Sequence, residues 1–95
     1  MSKKYYAVID GGGCGTYHYG SDLNQTVKDC CKLFLSDWGK SHKDKLKNFD
    51  VPVFTLPSDV IHVVTKSNGS HWGKKNDGSL VELNDCQYIK PKNIL

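Results

Sequence analysis

The chain has 95 residues, a formal net charge of +3 and an apolar content of 38%, which makes one domain with a modest core and no stretch near the roughly 20 apolar residues that span a bilayer. All of its basic residues are lysine, and all its acids except Glu82 are aspartate. Without arginine there is no planar fork to read guanine edges or to hold a phosphate through two parallel bonds, so an arginine-clamped phosphoryl-transfer site is excluded and sequence-specific reading of DNA through guanine is disfavoured.

In chain order, YYAVID (residues 5–10) has the aromatic and β-branched content of a strand, and TYHY (16–19) that of a second. The intervening GGGCG reads as a hairpin turn. The next segment, SDLNQTVKDCCKLFLSDWG, predicts a helix. Ser21 or Asp22 can cap it, with Gln25 placed for a capping box from Asp22, and Gly39 can end it. Leu23, Val27, Cys30, Cys31, Phe34 and Trp38 fall on one helical stripe, so Phe34 and Trp38 are expected against a sheet.

Residues 40–50 form a basic connector, a loop or a short second helix anchored by Leu46 and Phe49. Pro52 and Pro57 assign VPVFTLP to an edge strand or an extended segment. DVIHVVT (59–65) is strand-like. Asn68–Gly69 reads as a two-residue hairpin turn that pairs Ser67 with Ser70 and Thr65 with Trp72. A turn at Asn76–Gly78 leads to SLVEL (79–83), then CQYIK (86–90). No internal repeat is evident. This order predicts an α+β domain: an N-terminal β-hairpin and one main amphipathic helix packed on an antiparallel sheet completed by a C-terminal β-meander.

The chemistry-bearing residues are few. GGGCG has no lysine at its end and runs into a strand instead of a helix, so it fails as a phosphate loop, and Thr16 breaks the dinucleotide fingerprint. Cys14 and His18 could pair as nucleophile and base, but no third group orients the histidine. Their C-x3-H spacing is half of a zinc site with no second half, and His62 within VIHVV reads as a strand histidine. The aspartates sit mostly at turns and caps. All four cysteines are read as reduced thiols, mostly buried as small hydrophobes. No catalytic residue, metal or cofactor is therefore expected. The N-terminal MSKKYYAVID lacks a signal-peptide apolar stretch, which predicts a cytoplasmic protein. Abundant Lys and Asn without Arg is the composition of an AT-rich coding genome, as in a bacteriophage or a low-GC bacterium.

The remaining function is surface recognition. Tyr and Trp supply contact anchors, and the expectation is a small non-enzymatic protein that binds another macromolecule, first of all a protein, and regulates or inhibits it. The alternative is a nucleic-acid-binding module using two surfaces: Tyr5, Tyr17 and Tyr19 with Lys3 and Lys4, and Trp72 with Lys74 and Lys75. Lys43, Lys45 and Lys47 in the connector would add phosphate contacts, although a solvated connector is their simpler reading. A thiol- or zinc-dependent enzyme comes third, and no membrane partner is expected.

Tyr5 to Val8, Gly15 to Tyr17, Ser21, Val27 and Cys30 resemble the opening of the small hybrid-binding domain found at the N-terminus of some ribonucleases H. The likeness implies binding of an RNA/DNA hybrid. It covers less than a third of the chain, and that family's later basic-aromatic segment and second helix have no counterpart here.

Overall fold

Two stretches of the chain, YYAVI and VPVF, are apolar at every position, and both become inner strands of a sheet that is covered on its two faces. The computed structural model describes residues 4–10, 15–39 and 43–93. Strands β1 (Lys4–Asp10) and β2 (Gly15–Gly20) form the expected antiparallel pair, from Tyr5 opposite Gly20 to Asp10 opposite Gly15. Helix α1 (Leu23–Trp38) and the short α2 (Lys43–Lys47) follow. Then come β3 (Val51–Leu56), β4 (Val60–Thr65), β5 (His71–Lys75), β6 (Leu80–Glu82), β7 (Cys86–Ile89) and a 3₁₀ turn at Pro91–Asn93.

The α+β class stands, with the C-terminal strands divided between two antiparallel sheets. Sheet A has the order β2-β1-β3-β7, so one late strand completes it, and β4, β5 and β6 form a separate sheet B. Strand alternation then makes a three-layer structure. One face of sheet A carries Ala7, Ile9, Val51 and Val53 under Val27, Cys30 and Cys31 of α1 and Leu46 of α2. The opposite face carries Tyr6, Phe54 and Leu56 under Val60 and Leu83 from the sheet B side.

Asp22 caps α1, its carboxylate accepting from the Gln25 N–H at 2.9 Å. The capping box does not close, because the Gln25 side chain donates forward to Asp29 Oδ1 at 2.8 Å. Phe34 and Leu35 are half-buried against the first cluster. The side chain of Trp38 lies outside the described residues, as do Lys3, Cys14, Lys40 and His42.

Two readings are corrected. VPVFTLP is an inner strand: β3 pairs with β1 on one side and β7 on the other. Pro52 is accommodated because the β1 ladder ends at Val53 opposite Ala7. The Thr55 N–H donates to Asp85 on the β7 side, so alternation turns the amide position of Pro52 toward β1, one residue past the last pair. The Asn68–Gly69 hairpin has a three-residue loop, Ser67 to Gly69, not a two-residue one. It is closed by Lys66 N–H to Ser70 O at 2.9 Å, and the register becomes Thr65 opposite His71 and Val64 opposite Trp72. Gly69 takes φ +87°, and Asn68 Oδ1 accepts from both N–H (3.0 Å) and Oγ (2.6 Å) of Ser70. The second hairpin repeats this chemistry with Asp77, Gly78 (φ +86°) and Ser79. The same five-residue turn motif, Lys-x-Asn/Asp-Gly-Ser, thus closes both hairpins of sheet B.

Candidate functional site

Tyr17 and Tyr19 sit two residues apart on β2, so both project from the face of sheet A opposite α1. There they meet Tyr6 of β1. The Tyr6–Tyr19 ring centroids are 4.9 Å apart, Tyr6–Tyr17 5.9 Å, and Tyr17–Tyr19 5.9 Å in an edge-to-face arrangement. Phe54 and His71 continue the series, with the His71 ring tilted 57° against Phe54 at a centroid distance of 4.9 Å. Sheet B covers Phe54 and Leu56 and reaches Tyr19 but leaves Tyr17 exposed, and the resulting groove of about 810 Å³ is lined by these tyrosines, Val8, Phe49, Pro52, His62, Val63 and His71 among others. Its volume lies within the range of ordinary ligand sites.

Two polar contacts are built into the groove. The Val63 N–H donates to the Tyr19 hydroxyl at 2.8 Å, and His71 Nδ1 lies 3.1 Å from Thr65 Oγ1. Burial lowers the His71 pKa, so the ring is neutral at pH 7. Burial, helped by Tyr19 and Tyr17, pushes the Tyr6 hydroxyl up to about 12. Among the described residues the lining carries no ionisable group other than these two histidines and the tyrosines.

The other sequence candidates do not converge on this groove. Tyr5 faces the opposite way and packs into the α1 cluster, so Tyr5, Tyr17 and Tyr19 are not one surface. Lys43, Lys45 and Lys47 lie on α2. Lys75 is ion-paired with Asp59 at 3.1 Å. Trp72 and Lys74 share the outer face of sheet B, where the Lys66 ammonium lies 3.8 Å from the Trp72 ring centroid and the Trp72 indole N–H donates to Ser70 Oγ at 2.9 Å.

Tyr6, Phe49, His62 and His71 were missed as site residues. The available signal was the uninterrupted apolar run of β1, which implies two buried faces and thus a second layer opposite the helix.

The described thiols are poorly placed for chemistry. Burial, with the adjacent Cys31, pushes Cys30 up to about 12, and burial raises Cys31 to about 11, so both are protonated at neutral pH. His18 lies 3.6 Å from Asp29. Among the described residues no group of three His, Cys, Asp or Glu side chains could hold a metal ion, and no helix is long and apolar enough to cross a membrane.

Comparison with family models, with curated proteins and with solved structures finds no match. The local likeness to the hybrid-binding domain therefore assigns no function here.

Proposed function

We propose that this is a non-enzymatic binding protein that holds another protein through the tyrosine groove and acts by regulating or inhibiting it. The observation that carries the reading is the lining itself: among the described residues it holds three tyrosines from sheet A, Phe49 from the connector and two histidines from sheet B, and no lysine. Tyrosine offers a large, rigid contact surface with a polar tip, and it is enriched where proteins anchor one another. A site for nucleic acid needs cations beside the stacking rings. Of the candidate lysines, Lys43, Lys45 and Lys47 lie on α2, Lys74 lies with Trp72 on the outer face of sheet B, and Lys75 is ion-paired with Asp59.

A second reading rests on the outer face of sheet B, where Trp72 is flanked by Lys66 and Lys74. A single strand could stack there. The test that separates the two is a salt titration against mixed oligonucleotides, alongside selection of binders from a peptide library. The protein reading expects selected peptides whose binding survives moderate salt and is lost in Tyr17→Ala, with no oligonucleotide affinity at physiological ionic strength. Micromolar or tighter oligonucleotide binding that falls steeply with salt and is lost when Lys66 and Lys74 are changed together to Ala would overturn it.

A further inference from the structure

We propose that the free edge of β2 pairs with β2 of a second copy of this chain, joining two four-stranded sheets into one antiparallel sheet. The argument is independent of the groove's partner, because it rests on main-chain groups. The Thr55 N–H points to the β7 side, so Phe54 directs its N–H and C=O to β1, and Tyr6 opposite it directs its own to β3. Ala7 then bonds across to His18, and the backbone groups of Tyr17 and Tyr19 point away from the sheet, with no partner strand beyond them among the described residues.

The remaining sheet edges are guarded in ways β2 is not. β4 carries a register shift between Val60 and His62, and its Val63 N–H is already taken by Tyr19. β6 has three residues and bears Glu82. β7 has four and runs into Lys90 and Pro91. β2 has six residues, Gly-Thr-Tyr-His-Tyr-Gly, without proline, lysine, acid or bulge.

Self-pairing fits this edge better than pairing with a stranger. With no lysine or acid on the strand, a two-fold antiparallel arrangement opposes no fixed like charges. The register with His18 on the axis sets Tyr17 against Tyr19 of the second copy, and Tyr19 against its Tyr17, as cross-strand aromatic pairs. α1 rests mainly on β1 and β2. At about 5 Å per strand, the two helices would lie roughly 10 Å apart across the axis, within helix-packing distance. Gln25, Asp29 and Leu33 follow one another at four-residue spacing, and the contact of Asp29 with His18 places that stripe on the β2 side. Leu33 is 43% exposed there, an apolar side chain that the second helix would cover.

The test is sedimentation velocity and amide exchange on the full chain, from low micromolar to near-millimolar protein. The expected species is twice 10.6 kDa, with the Tyr17 and Tyr19 amides slowing as concentration rises and the Thr16 and His18 amides unchanged. Tyr17→Pro removes an outward N–H without touching the β1 ladder, and Tyr17→Lys brings like charge to the axis with the backbone intact. Each should weaken the dimer by about tenfold or more: the two-fold axis makes Tyr17→Pro cost two main-chain hydrogen bonds, one from each copy, and makes Tyr17→Lys add a charge from each copy. A monomer at every concentration, a dimer whose Tyr17 and Tyr19 amides ignore concentration, or a Tyr17→Lys chain that dimerises like the parent would each overturn the proposal.

Discussion

The Tyr19 hydroxyl accepts the Val63 N–H at 2.8 Å, tying the edge strand of one sheet to the edge strand of the other. One atom thereby satisfies a main-chain donor on β4 and fixes the wall of the groove against its floor. Tyr19→Phe removes the acceptor while keeping the ring contact with Tyr6. The change should cost about 1–2 kcal/mol, since a partly buried N–H is left unpaired. Chemical denaturation measures the loss, and the Val63 amide should exchange faster than its β4 neighbours. Unaltered stability and exchange would show that the bond does not hold the sheets together.

Gly73 lies against Val60 and Leu83, the two side chains that the sheet B side contributes to the cluster between the sheets. A Cβ there would meet both methyls of Val60, at 2.8 and 2.9 Å, and Leu83 Cδ2 at 3.3 Å. Gly73→Ala should therefore destabilise by about 1–3 kcal/mol through overpacking. Adding Val60→Ala should restore part of that loss, because it removes the methyls in the way. The double-mutant cycle reads the coupling directly.

The pH profile has a sign that can be worked out from burial. The fold favours the neutral forms of Cys30, Cys31 and Tyr6, whose values rise to about 12, 11 and 12. Their contribution is present below the ordinary values of 9.0 and 10.0 and is lost as pH climbs toward 11–12. His71 is also held neutral, so its contribution is present above its ordinary 6.5 and is lost as pH falls through its lowered value. Stability in urea should be level between those limits and decline on both sides. A denaturation midpoint that stays constant from pH 9 to pH 12 would contradict the alkaline half.

The two hairpin loops of sheet B should tolerate the same exchanges. Asn68→Asp only gives the first loop the carboxylate that Asp77 already supplies in the second, so its effect should stay within about 0.5 kcal/mol. Gly69→Ala and Gly78→Ala meet no atom within 4 Å, yet each forces a side chain to φ near +87°. Each should cost about 1 kcal/mol in thermal or denaturant unfolding. A free exchange to alanine would mean that the loops relax to negative φ.

Helix α1 was legible because its signals are local: a capping aspartate, an apolar stripe and a terminal glycine. The division into two sheets was not, since partner choice depends on which strands meet in space. Proline misled at position 52 because its penalty depends on which side its missing N–H would face. The hairpin register slipped by one residue because Asn-Gly suits a two-residue loop and also the last two positions of a three-residue loop. As for the groove, Tyr17 and Tyr19 were visible as a pair. Tyr6, Phe49, His62 and His71 reach it from separate strands and a connector, and no spacing rule links them.

The chain leaves sheet A after Leu56 and re-enters it at Cys86, and the two points are neighbours: Phe54 pairs with Cys86, and the Thr55 N–H bonds to Asp85. Sheet B is thus an excursion within what would otherwise be a plain β3–β7 hairpin. Topologically it is a removable module, and residues 57–85 could be exchanged for a tight turn without rerouting any strand of the remaining fold. Excision would uncover Tyr6, Phe54 and Leu56 together. The module therefore serves as a wall built into the chain, set on a β-β-α-α-β-β frame, that turns an open tyrosine face into a groove.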